Sequence, residues 1–236
     1  MKIAYDGTLF GGWAVQPNRT TIQGILQKAL LTILRQPAQV HGAGRTDAGV
    51  HAHEQCAHFS SDEINIEKTL YSLNSIIPDT IKIYSISPAE ETFHARFSVK
   101  KKIYIYHFTH QYTPFNQRFS LLIPKKFNHS ILTKAASLFV GTKDFSGFAS
   151  SGCGSRNKIK TLYNLDIVPT KTGFALRFIG DGFLYKMVRN ITGTLIEIAQ
   201  EKKGLDCVTN IFKSQNRTNA GFTAPAKGLF LRKIEY

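Results

Sequence analysis

A chain of 236 residues, 42% of them hydrophobic, is long enough for one large domain or two small ones with a real core, and 18 Gly with 8 Pro are ordinary values that give no sign of long disorder. No apolar run approaches the roughly 18 residues of a membrane span, and Met1-Lys2-Ile3-Ala4-Tyr5-Asp6 meets a charge too early for a secretory leader. The three Cys, at 56, 153 and 207, are odd in number and lack metal-type spacing, which points to a reducing compartment and a cytoplasmic location.

The net charge of +14 is lopsided: residues 1–99 hold 8 Lys/Arg against 9 Asp/Glu, and residues 100–236 hold 22 against 7. Solubility does not need that asymmetry. It implies a polyanionic partner, and nucleic acid is favoured over a membrane because the cations are spread over strands and loops rather than along one helix face.

In chain order, residues 2–5 read as a strand ending at the Asp6-Gly7 turn, and Gly11-Gly12-Trp13 continues a loop with Trp13 as a core residue. Thr20 and Gln23 form a capping-box pattern, and Ile22, Ile25, Leu26, Ala29, Leu30, Ile33 and Leu34 follow helical spacing until Pro37. Residues 38–43 and 53–60 read as strands flanking a Gly-rich loop. Strand alternation sends His51 and His53 to one side and Cys56 and His58 to the other, so no metal site is read there. Asp62-Glu63 opens a second helix carrying Ile66, Leu70, Leu73 and Ile77, and residues 80–87 form a strand. The first half is thus strand, helix, strand, strand, helix, strand, the split βαβ order of a ferredoxin-like fold.

The second half repeats this order. It has a strand at 102–110, a helix from Asn128 to Val140, strands at 159–168 and 173–180, a helix at 184–200, a short helix near 206–213 and a last strand at 228–235. The expected architecture is α/β (α+β). Two ferredoxin-like, RRM-like βαββαβ halves would join into an extended, mostly antiparallel sheet, with helices on one side and an RNA or active-site cleft on the other. The domains are expected at 1–99, carrying the Asp loop, and 100–236, the basic half, with a linker near 88–100.

The string that organises the chain is Gly44-Arg45-Thr46-Asp47-Ala48-Gly49-Val50-His51-Ala52. Small residues let the backbone bend sharply and let a ligand approach. Arg45, two positions from Asp47, can share a face with it, and a neighbouring guanidinium keeps a carboxylate ionised. An ionised, partly desolvated Asp serves as nucleophile or base. For a bare Arg-x-Asp a surface ion pair is the plainer reading, but no other carboxylate of the first half has this Gly/Ala-lined setting. Tyr104, just past Lys100-Lys101-Lys102, suits stacking on a nucleobase, whereas Tyr106 and Phe108 read as core. Lys186, Arg189 and Asn190 fall on the polar side of the 184–200 helix. That side is either a solvated face or one that points Lys186 and Arg189 into the cleft, with Asp47 as the acidic partner of a buried Arg.

The nine-residue string resembles the catalytic loop of the tRNA pseudouridine synthase A (TruA) family. Tyr5-Asp6-Gly7 with Gly12-Trp13, Phe93-His94-Ala95-Arg96-Phe97-Ser98 and Tyr104-x-Tyr106 extend the resemblance in the family's order. So do Asp144-Phe145-Ser146, Met187-Val188-Arg189-Asn190-Ile191 and Thr223-Ala224-Pro225-Ala226-x-Gly228-Leu229. The resemblance implies Asp47 as the catalytic aspartate, Arg45 and Arg189 orienting and ionising it, and Tyr104 stacking on the target base. It further implies Leu229 in the apolar pocket wall, and Lys186, if its side of the helix points into the cleft, is expected to bind the substrate. The activity implied is conversion of uridine to pseudouridine in the tRNA anticodon stem-loop, at nominal positions 38, 39 and 40, by a homodimer without metal or other cofactor. Asp47 would attack C1′, add to C6, or remove a ribose proton to give a glycal. Ala14, where the family commonly has Gln, and Lys101-Lys102-Ile103, where it is often Arg-rich, depart from the pattern and bear on RNA contacts. A non-catalytic RNA-binding protein with RRM-like halves is the alternative from another class. An Asp-dependent hydrolase would want a second carboxylate or a base, for which His51 is the only near candidate.

Overall fold

The computed structural model describes residues 1–124 and 127–236. Among the described residues the protein is mixed α/β, with five α-helices and ten strands that pair mostly antiparallel. None of these helices is long and apolar enough to cross a membrane. The chain divides into two compact units, residues 1–100 with 230–236 and residues 101–229.

The first unit contains β1 (Lys2–Tyr5), α1 (Ile22–Leu34), β2 (His41–Gly42), β3 (His51–His58), α2 (Ile66–Ile76) and β4 (Ile81–Ser85). β1 lies between β4 and β3, antiparallel to both, and β2 pairs antiparallel with the far end of β3. Helix α1 buries Ile22, Leu26, Ala29 and Leu30 against a core that includes Ile3, Leu73 and Ile83. Burial of each such large aliphatic chain stabilises by roughly 1.5–3 kcal/mol.

The start of α1 differs from the capping box. Thr21 is the cap, its hydroxyl accepting from Gly24 N–H at 3.3 Å, while the Gln23 amide joins Val15 N–H to the Val40 carbonyl. Asn65, not Asp62-Glu63, caps α2 by accepting from Lys68 N–H at 2.9 Å. The segment 88–100 packs on this unit. Ala95 is fully buried, its N–H donating to His58 Nδ1 at 3.1 Å and its carbonyl accepting from Tyr236 Oη at 2.8 Å.

The second unit holds β5 (Lys101–Thr109), β6 (Leu121–Leu122), α3 (His129–Ser137), β7 (Gly141–Asp144), β8 (Ile159–Thr170), β9 (Gly173–Gly180), α4 (Met187–Ala199) and α5 (Asp206–Ser214). Its strand order is β5-β9-β8-β7, all antiparallel, with β6 parallel to β5. The two- and four-residue strands β6 and β7 are too short for a period-2 pattern to register in the sequence. The last strand, β10 (Leu229–Glu235), pairs parallel with β3 through Phe230–His51 and Leu231–Ala52.

Helix α4 corrects the expectation of a polar face at 184–200. It starts at Met187, and Asn190, Thr192 and Thr194 are all fully buried. Residues 217–225 cover the side that carries Asn190 and Thr194, so the solvated-face reading does not hold for Asn190. Gly193 and Gly221 permit that approach, since a Cβ at Gly193 would collide with the Phe222 carbonyl and one at Gly221 would meet Thr194 Cα at 2.6 Å.

Candidate active site

In the first unit the Gly44–Ala52 loop leaves β2 and enters β3. Ala43 and Val50 are buried at its ends, and Gly49 takes a positive φ of 78°. Ala43 N–H donates to the Cys56 carbonyl at 2.7 Å and fully buried Gln55 donates to the Gly44 carbonyl at 2.8 Å. Between these anchors Thr46 points inward and is 7% exposed, while Arg45 is exposed and Asp47 half-buried. The alternation turns both charged neighbours away from the core, as the spacing of Arg45 and Asp47 requires.

Thr46 is the loop's inner anchor. Its Oγ1 lies 2.8 Å from Tyr5 Oη, and its carbonyl accepts from Trp13 N–H at 3.0 Å. Trp13 belongs to the Gly11-Gly12-Trp13 turn, where Gly12 has φ 101° and a Cβ would lie 2.6 Å from the Thr46 carbonyl. A side chain at Gly12 would therefore push the Asp47 loop outward. Burial raises the Tyr5 pKa to about 12, against the lowering effect of hydrogen bonds from Thr46 and Gln55, so its hydroxyl is neutral at ordinary pH. His51 is 1% exposed, its Nδ1 accepts from Gly7 N–H at 3.0 Å, and its ring stacks on Phe230 with centroids 4.5 Å apart. That is a packing and hydrogen-bonding role.

In the second unit Arg189, on the first turn of α4, donates from Nε to the Ala224 carbonyl at 2.7 Å, and Ala224 N–H donates back to the Arg189 carbonyl at 3.1 Å. This two-way clasp fixes the Thr223–Ala226 segment to the helix. Tyr106 Oη donates to the Pro225 carbonyl at 2.8 Å, and Gly228 lies against the Tyr106 ring, where a Cβ would come within 2.7 Å. Burial raises the Tyr106 pKa, opposed by the positive charge of Arg189. Leu229 is 5% exposed at the start of β10. Lys186 precedes α4 at a positive φ of 58°, its ammonium 5.0 Å from the Tyr185 ring centroid.

Tyr104 is 7% exposed and meets Phe183 edge-on at 5.2 Å. By strand alternation it shares a face of β5 with Tyr106 and Phe108. Phe108 packs on Phe174, which in turn meets His129 of α3. Tyr104 thus lies on the same face of β5 as the ring cluster of Phe108 and Phe174.

Asn190 has a larger role than its place in the pattern suggested. Its Nδ2 donates to the Phe148 carbonyl (2.8 Å) and Ser150 Oγ (3.2 Å), and its Oδ1 accepts from Arg217 (2.9 Å) and Thr223 Oγ1 (2.7 Å). Arg217 also donates to the Gly221 carbonyl at 2.9 Å and to Thr223 Oγ1 at 3.0 Å. Neither Arg217 nor the Tyr5–Thr46 pair was legible in the sequence. The only signal was the Tyr5-Asp6-Gly7 string, which says nothing of the Thr it reaches 41 positions on.

A family model described as tRNA pseudouridine synthase matches residues 1–98 and 135–236. The chain is 44% identical over 243 residues to tRNA pseudouridine synthase A 1 of Protochlamydia amoebophila, covering all of this chain and 95% of that one. It is 40% identical to tRNA pseudouridine synthase A of a Thermoanaerobacter strain, covering 99% and 97%, and 37% identical to that of Staphylococcus aureus, covering 99% and 90%.

Proposed function

The chain belongs to the tRNA pseudouridine synthase family, and we propose on that premise that it isomerises uridine to pseudouridine in tRNA with Asp47 as the catalytic carboxylate. One observation carries the reading. In a chain matched nearly end to end, Asp47 stands half-buried on a loop anchored from within by Thr46, Gln55 and Trp13. A loop so held fixes the position from which the carboxylate acts.

The reaction breaks the N1–C1′ bond, turns the uracil and joins C5 to C1′, with no net redox change. Asp47 acts at C1′, at C6, or on a ribose proton. Arg45 and Arg189 orient the carboxylate, Tyr104 stacks on the base, and Leu229 and Lys186 line the substrate. The clasp of Arg189 on Ala224 supports that role, because it holds the guanidinium in one orientation. The target base leaves its stack at a cost of a few kcal/mol, and the cations of residues 100–236 offset part of that by gripping phosphates.

The substrate is the anticodon stem-loop at nominal positions 38, 39 and 40, the active form is a cytoplasmic homodimer, and the chemistry needs no metal or other cofactor. The halves are ferredoxin-like, which the β4-β1-β3 order with β2 beside β3 supports in the first unit.

The test is mapping of pseudouridine in unmodified tRNA treated with the protein. Pseudouridine at 38–40 is expected. Binding without any pseudouridine would favour the non-catalytic RNA-binding alternative, and pseudouridine elsewhere would overturn the assigned positions.

A further inference from the structure

We propose that residues 111–122 form a rigid finger whose tip, Phe115, stacks on an unpaired nucleotide of the tRNA. The proposal rests on tRNA as the substrate and adds a contact surface that the catalytic reading does not contain.

Phe115 is 88% exposed, which leaves almost its whole ring in water. The loop beneath it is tightly built. The Asn116 side chain accepts from Thr113 N–H at 2.8 Å and donates to the Gln111 carbonyl at 3.0 Å, and Ser120 Oγ donates to the Asn116 carbonyl at 2.8 Å. Lys227 ties the loop from outside. Its ammonium donates to Tyr112 Oη at 2.8 Å and to the Gln117 carbonyl at 2.9 Å, and lies 4.6 Å from the Tyr112 ring centroid. An ordered frame that holds an aromatic ring out in solvent is preorganised for a partner, since the ordering cost is met before binding.

The chemistry around the ring names the partner. Residues 92–143 contain no Asp or Glu, and Arg118 is exposed three positions from Phe115. An aromatic tip with cationic flanks and no carboxylate suits a base stacked on the ring with phosphates beside it. Lys227 also joins the finger to the candidate site, because it follows directly on the Thr223–Ala226 segment that Arg189 clasps.

The experiment measures binding of the full-length protein to an unmodified tRNA transcript, with Phe115→Ala, Phe115→Leu and Phe115→Trp beside wild type. Base–aromatic stacking predicts roughly 5- to 150-fold weaker binding for Ala and Leu. Trp should stay within about threefold, as every ring offers a π-face. Turnover at saturating tRNA should be unchanged in all three, with the loss appearing in KM. Wild-type binding by Ala or by Leu would overturn the proposal, as would failure of Trp to restore binding. A change in oligomeric state on sedimentation of the Ala variant would reassign the tip to a contact between copies. Binding is read without turnover, so a wild type that binds tRNA and makes no pseudouridine would sink the activity and leave the finger standing.

Discussion

The hydroxyl of Tyr5 and Oγ1 of Thr46 lie 2.8 Å apart with both residues buried, and this pair joins β1 to the loop that carries Asp47. Tyr5→Phe keeps the ring and leaves the Thr46 hydroxyl buried without that partner. The expected loss of stability is about 1–3 kcal/mol by urea denaturation. The account also predicts a fall in kcat with little change in KM, because the loop loses its fixed height while tRNA docking stays intact. Thr46→Val should show the same defect, and the double variant no more than either alone. Equal stability loss with unchanged kcat would make the pair a fold contact only. The raised Tyr5 pKa has a further consequence: stability should hold below pH 10 and fall between about 10 and 12, where the unfolded phenol ionises and the folded one does not.

Asn190 joins α4, the 148–150 turn and the Arg217–Thr223 segment through four hydrogen bonds. Asn190→Leu has similar volume but removes the acceptor that half-buried Arg217 and Thr223 share and the donor to the buried Phe148 carbonyl. A loss on the order of 3 kcal/mol is expected in chemical denaturation. Activity should drop too, through the Arg189–Ala224 clasp one residue away. A variant as stable as wild type would contradict the network reading.

His58 stacks on His41 (5.0 Å between centroids) and meets His94 edge-on (4.7 Å). Burial lowers its pKa, helped by the charges of His94, His41 and the N-terminal amine, and its Nδ1 is engaged by Ala95 N–H. A histidine with a depressed folded pKa adds stability above the unfolded value of about 6.5, lost as pH falls below it. Thermal stability should therefore decline on acidification from pH 7 toward 5, and His58→Gln should flatten that slope. An unaltered slope would place the acid sensitivity elsewhere, with His53, whose pKa burial also lowers, as the next group to change.

The chain's own patterns reached the long elements and the Asp47 loop and stopped where contacts are made across distance. Helix α1 was legible because its apolar spacing is unbroken, and the loop because glycine and alanine surround one Arg and one Asp. The capping residue was not, since Thr20 and Thr21 are equally good acceptors and only the turn into the helix chooses between them. The surroundings of Asn190 were left open by the pattern, because a polar side next to Lys186 and Arg189 reads equally as a solvated face until residues 217–225 fold over Asn190 and Thr194. The Asn116 frame behind Phe115 is a local hydrogen-bonded loop with no periodicity, so nothing in the pattern marked it.

The most direct measurement compares Asp47→Asn with wild type for both tRNA affinity and pseudouridine formation. The substitution is nearly isosteric and removes the charge, and Thr46, Gln55 and Trp13 hold the loop. The account predicts tRNA affinity within about twofold of wild type, a difference below roughly 0.5 kcal/mol, with no pseudouridine formed. Substantial turnover by the Asn variant, with deamidation back to Asp excluded by mass, would contradict it. Joint loss of folding and tRNA binding would instead make Asp47 a structural residue of the loop.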